Sequence, residues 1–239
     1  GFPLIFYREN CADMQILPSD ANPEIFKNAK ALLITGTGLS TPSMREATRQ
    51  AVKVAKESGC AVILDIDYRP VLWGLTDAGD GETRFVASEK VTREIQPFLA
   101  ELDLIVGTEE EILIAGREYY ETETLESCLA AIRKQSSATV VLKRGAEGCE
   151  VFSPESSTPI SVRSFPIEVL NILGAGDAFM SGFLRGWLRN ENLETCALYG
   201  NACGALVVTR HGCSPASPSF AEIEYFISNF DNFPNLAQH

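Results

Sequence analysis

With 239 residues, the chain can bury a full hydrophobic core in one large domain or two small ones. Hydrophobic residues make up 45% and charged residues 22%, an ordinary globular balance. No basic stripe offsets the net charge of −12, which argues against a binder of nucleic-acid polymers but not against a nucleotide in a locally positive pocket.

Strand-like and helix-like runs alternate along the chain. PLIFY (3–7) is a short apolar run, and ALLITG (31–36) reads as a buried strand ending in glycine. Thr41-Pro42 opens a helix that runs to about Ser58, and AVILDIDY (61–68) is the next strand. Residues 91–100 look helical, LDLIVGT (102–108) is a strand, and EEEILIAG begins another helix. A helix over about 124–136 precedes the strand ATVVLKRG (138–145). GCEVFSP and ISVRSFPIEVL read as a strand pair, and two final helices cover about 175–189 and 193–209. Continuous apolar strands in repeated βα units predict an α/β fold, a mostly parallel sheet covered by helices, with ligands beyond the carboxyl ends of its strands. Neither an internal repeat nor a low-complexity linker interrupts residues 1–239, so one domain is expected.

Seven cysteines, an odd number without a CxxC pair, several of them in apolar contexts, suggest a reducing cytoplasm rather than a disulfide framework. With two histidines, one of them terminal, a zinc site is not expected. No apolar run of about 18 residues occurs, so no membrane partner is expected. The start GFPLIFYREN lacks the pattern of a signal peptide.

The chemistry concentrates in NILGAGDAFMSGF (171–183). Gly174 and Gly176 let backbone N–H groups converge, and the helix that follows adds its positive N-terminal end. Phe179, Gly182, Phe183, Gly186 and Trp187 share one helical face, which would hold the mouth rigid. Asp177 then stands where it could take a proton from a hydroxyl while the 174–176 amides hold a transferring phosphoryl group. The plainer reading is an acid in the first turn of a helix.

The string N-I-L-G-A-G-D-A-F resembles the signature D-T-x-G-A-G-D-x-F of the PfkB/ribokinase family of sugar kinases. That resemblance implies that Gly174, Ala175 and Gly176 form the anion hole and that Asp177 is the catalytic base. NACGALVVTRHGCSPASP (201–218) is similar to the family's ending. It implies Asn201 near the adenine and a 209–216 loop near the nucleotide and a monovalent-cation site. VGTEEE resembles the N-x-x-E segment, which makes Glu111 the acid that helps organise Mg²⁺. LKRGAEG resembles the turn beside the nucleotide, with Gly145 and Gly148 as its glycines, and DIDYR resembles the D-x-N-x-R strand end. ATP and Mg²⁺ are the implied cofactors, in a ribokinase-like fold.

Some positions depart from the family pattern. Asn171 and Ile172 replace Asp and Thr, which weakens the case for a monovalent-cation ligand. Thr108 stands at the usual Asn, and Lys143 at a common Thr, where its ammonium either meets a phosphate or is solvated. YRENCAD (7–13) and DIDYRPVLW (65–73) resemble the branch that phosphorylates keto-deoxy sugar acids. The implied acceptor is 5-dehydro-2-deoxygluconate, with 2-keto-3-deoxygluconate or fructose as alternatives. Arg8 is the first candidate for the acid's carboxylate, with Tyr7 beside it and Arg69 second; the bland alternative for Arg8 is a surface arginine on a polar turn.

GTG at 36–38 lacks the third glycine of a dinucleotide fingerprint, and no P-loop occurs. YYETETLES reads as a solvated edge without a function. The resemblance makes the chain the carboxy-terminal two-thirds of such a kinase, without the amino-terminal strands, sugar-binding residues and lid. Such a piece is expected to hold nucleotide weakly and turn over poorly, and its bare sheet edges favour association, a homodimer being the simplest case. A non-catalytic protein that uses the pocket for sensing or assembly is the alternative of a different class.

Overall fold

The structure, a computed structural model, describes residues 5, 10–81, 83, 85–118 and 124–230. They gather into two compact units, one lying within residues 1–142 and 153–155, the other within 143–152 and 156–239. All of the run at 3–7 except Ile5, and most of the acidic run from residue 119, lie outside the described residues.

The first unit is built on parallel strands. β1 (Ala31–Thr35) pairs with β2 (Ala61–Asp65) from Ala31↔Ala61 to Thr35↔Asp65, and β2 pairs with β3 (Leu104–Thr108) from Ile63↔Leu104. β4 (Thr139–Lys143) follows beside β3. Val62, Ile63, Leu64, Leu104, Ile105 and Val106 are all fully buried, as continuous apolar strands covered on both faces must be. Before the sheet, α1 (Pro23–Phe26) is a single turn capped by Asn22. α2 (Pro42–Glu57) begins at Thr41, whose hydroxyl accepts the Met44 N–H, with Pro42 in the first turn, and it packs on β1 and β2. Its one deeply buried charge, Arg45, donates to Leu39 O at 2.8 Å and pairs with Glu94 at 3.0 Å. α3 (Glu89–Ile95), α4 (Glu109–Gly116) and α5 (Leu125–Gln135) complete this unit.

β2 is shorter than the expected 61–68. Asp67 takes a positive φ of 29°, and the carbonyl of Ile66 turns to accept the Gly36 N–H at 3.0 Å. Helical residues 91–100 divide into α3 and a 3₁₀ turn, Gln96–Glu101, because Pro97 cannot donate to the α-helical ladder.

In the second unit β5 (Cys149–Phe152) and β6 (Ile160–Val162) pair antiparallel, Cys149↔Val162, so the β structure is mixed. β6 stops well short of the expected 160–170. The carbonyls of Val162 and Arg163 accept the side-chain amide of Asn201 at 3.0 and 3.2 Å instead of a strand, and Pro166 follows. α6 (Ala175–Trp187) and α7 (Leu193–Val208) pack tightly against each other. A Cβ on Gly182 would collide with the carbonyl of Tyr199, so the crossing needs a glycine. A third helix, α8 (Phe220–Asn229), adds to the two expected at this end. Ser219 and Glu222 form its capping box, a signal present in the sequence as S-x-x-E. Arg210 pairs with Glu222 at 2.7 Å, and these hydrogen bonds hold the Glu222 carboxyl down to about 2.

Five of the seven free cysteines are buried, Cys11 is half-buried and Cys213 is exposed. Burial pushes the Cys149 thiol up to about 12 and those of Cys196 and Cys203 to about 11. Iodoacetamide on the native protein at pH 8 is expected to label Cys213 first and Cys11 more slowly. Peptide mass mapping should find Cys149, Cys196 and Cys203 unmodified until urea is added. These three thiols also predict the alkaline limb of stability. Raised folded-state values give stability that is whole below about 9 and lost as pH climbs toward 11 to 12.

Candidate active site

The second unit builds its site around the start of α6. Gly174 caps the helix in the left-handed region, with φ 80° and ψ 2°, and the Ala178 N–H closes on its carbonyl at 2.9 Å. A Cβ at Gly174 would strike Cys213 Sγ, so the turn lies directly against the 209–216 loop. Asn171 ties the same two segments. Its Nδ2 donates to Gly212 O at 2.9 Å while its Oδ1 accepts the Leu173 N–H at 3.1 Å. The backbone N–H groups of Leu170 and Asn171 both donate to Val208 O, at 2.8 and 3.0 Å.

Gly176 and Asp177 are exposed on the first turn of α6, where helix amides lack intrahelical acceptors and carry the positive end of the dipole. Lys143, the last residue of β4, brings its ammonium to this turn: Nζ lies 3.7 Å from the Cβ position of Gly176. An ammonium and a helix N-terminus repel each other, so their convergence favours an anion between them. Among the described residues, Asp177 has no hydrogen-bond or ion-pair partner, which leaves its carboxylate to solvent or to a ligand.

The turn after β4 supports the lysine. Arg144 N–H donates to Gly148 O at 2.8 Å, and Gly148 N–H donates to Gly145 O at 3.1 Å. Gly145 and Gly148 both have positive φ, 57° and 96°, and Gly148 lies so close to β6 that a Cβ would collide with Val162 O. Asn201 is buried in the same unit, its amide nitrogen bonded to the two carbonyls at the end of β6. The structure thus gives it a packing role between α7 and β6.

The remaining candidates belong to the first unit. Thr108 and Glu111 form the capping box of α4: the Thr108 hydroxyl accepts the Glu111 N–H at 3.4 Å and Glu111 Oε2 accepts the Thr108 N–H at 2.7 Å. Glu111 is buried, and a carboxylate is the kind of hard oxygen donor that suits Mg²⁺. Arg69 follows the strained Asp67, and the two form an ion pair at 2.8 Å. Tyr7 and Arg8 lie outside the described residues.

The amide–ammonium cradle at α6 has the chemistry of a phosphate site, and the carboxylate of Glu111 has that of a partner for hydrated Mg²⁺. The Asn171 turn has a different chemistry, because a neutral amide donates where a monovalent cation would need oxygen ligands. Asp177, the glycines and Lys143 are the candidates of the sequence, and the structure brings Lys143 to the turn that carries Gly176 and Asp177. Sequence reading missed the Asn171–Gly212 tie and the Cys213 contact, for which one-dimensional spacing gives no signal.

Residues 3–219 match the pfkB family of carbohydrate kinases, and the chain belongs to that family. A 5-dehydro-2-deoxygluconokinase of Bacillus licheniformis is 31% identical over 225 residues, which cover 94% of this chain and 65% of that protein's length. A crystal structure from E. coli, given as a ribokinase II in complex with ATP and Mg²⁺, superposes with a TM-score of 0.80 at 25% identity, over 94% of this chain and 67% of the other. A fructokinase from Vibrio cholerae O395, bound to fructose, ADP and a calcium ion, gives 0.68 at 25% identity over 83% and 61%. The fold is therefore α/β and ribokinase-like, as the sequence motifs imply.

Proposed function

We propose that the protein transfers a phosphoryl group from ATP to a primary hydroxyl of a keto-deoxy sugar acid, 5-dehydro-2-deoxygluconate first. The observation that carries this reading is the placing of the Lys143 ammonium over the first turn of α6, one residue before the exposed Asp177. Asp177 takes the proton of the acceptor hydroxyl. The amides of Gly174 and Gly176, together with Lys143, meet the charge of the transferring group, and the Ala175 N–H, which donates to Ile172 O at 3.3 Å, turns to join them. Glu111 is the residue that would hold Mg²⁺, which would supply neutralisation of the charge on the nucleotide's phosphates. Gly145 and Gly148 shape the turn that carries Lys143, Asn201 braces the strand beside it, and Thr108 fixes Glu111. The carboxylate of the acid falls first to Arg8 with Tyr7, and Arg69 is the second candidate. The acceptor is drawn from the Bacillus licheniformis relative, and the nucleotide and metal from the E. coli structure.

Seven free cysteines fit a cytoplasmic protein, and no helix of the described residues is long and apolar enough to cross a membrane. The test is an ADP-release assay with Mg-ATP and, in turn, 5-dehydro-2-deoxygluconate, 2-keto-3-deoxygluconate and fructose. ADP release that depends on the first acceptor supports the reading, and release with another reassigns the sugar. ATP binding without transfer to any of the three favours a non-catalytic, ligand-sensing protein.

A further inference from the structure

We propose that the side-chain amide of Asn171 does the structural work of a monovalent cation, so that the loop at 209–216 is held to the turn before α6 without K⁺ or Na⁺. A bound monovalent cation joins two segments by collecting their carbonyl and carboxylate oxygens. Here the join is made by N–H groups instead. Asn171 Nδ2 donates to Gly212 O at 2.9 Å, and the backbone N–H groups of Leu170 and Asn171 donate to Val208 O at 2.8 and 3.0 Å. Further along the loop, the carbonyl of Ala216 accepts from the Arg210 guanidinium at 3.2 Å. Two carbonyls of the loop, and that of Val208 just before it, therefore face nitrogen donors, one of them on a fixed positive charge.

The charge balance agrees with the geometry. Asn171 is neutral and already directs its oxygen back to the Leu173 N–H at 3.1 Å, and Ile172 beside it has no side-chain oxygen to give. The guanidinium of Arg210 stands in the loop, paired with Glu222 at 2.7 Å. Among the described residues, no group of three or more acidic, histidine or cysteine side chains is placed to hold a metal ion. A carboxylate at 171 could not donate to Gly212 O, whereas the amide can donate and accept at once. The choice of asparagine is thus what makes the tie self-sufficient.

The inference concerns the site proposed above for the nucleotide, yet its test needs no turnover, so either reading can fail alone. Thermal unfolding of the protein is measured in KCl, NaCl and tetramethylammonium chloride at equal ionic strength. Midpoints that agree within about 1 °C are expected; a saturable rise specific to K⁺ or Na⁺, as ligand binding to the folded state produces, overturns the proposal. Hydrogen exchange then compares the wild type with Asn171→Ala in tetramethylammonium chloride. Loss of the tie should speed exchange of the 209–213 amides about fivefold, the fold-change of one ordinary hydrogen bond. Unchanged exchange there would show that the amide holds nothing and would overturn the proposal as well.

Discussion

Replacing Asp177 with asparagine is expected to lower turnover by about 10²- to 10⁴-fold, the range for removal of a positioned general base. Asparagine keeps the shape and the helix-start position but cannot take the hydroxyl's proton. Asp177 is exposed and makes no contact among the described residues that the fold depends on, so the variant should melt with the wild type. Nucleotide affinity should stay within about twofold, because the 174–176 amides and Lys143 are untouched. The two measurements are ADP release under saturating acceptor and calorimetric titration with nucleotide. Turnover within about threefold of wild type would remove Asp177 from the chemistry and leave the carboxylate as an early-helix acid.

Gly174→Val is expected to destabilise the fold by about 3 kcal/mol, from two sources that a second variant separates. The first is backbone: φ is 80° at Gly174, a conformation that a β-branched residue reaches only under strain. The second is steric, since a Cβ there meets Cys213 Sγ. Cys213 is exposed and its short side chain can rotate away, so the backbone contribution should dominate. Gly174→Ala combined with Cys213→Ala keeps the φ penalty and removes the sulfur contact. It should therefore recover only part of the loss seen for Gly174→Ala alone. Urea unfolding supplies the free energies. A Gly174→Val protein within about 0.5 kcal/mol of wild type would mean that the left-handed turn does not exist in solution.

The sequence carried much of the local architecture because its signals are chemical and short-range. Thr41-Pro42 marked the start of α2, Thr124 that of α5, and the apolar runs at 61 and 102 marked buried strands. Where the reading ran long, a distant partner intervened. β2 ends when the Ile66 carbonyl turns to Gly36, and β6 ends where Asn201, some forty positions on, takes its carbonyls. α8 lies beyond the two helices expected at this end, although its capping box is written in the sequence as S-x-x-E.

The sequence by itself determined the family, the glycine turn into α6 and the identity of the base candidate, since each is a matter of residue types at fixed spacing. It also placed Lys143 at a strand end. Only the tertiary structure decided that this lysine reaches Gly176, that Cys213 packs on Gly174, and that Asn171 bonds to Gly212. Those contacts join residues more than thirty positions apart, and side-chain direction at such range is set by how strands and helices pack, not by any neighbouring residue. The same is true of the bonds from the buried Asn201 amide to the carbonyls of Val162 and Arg163, which join α7 to the end of β6.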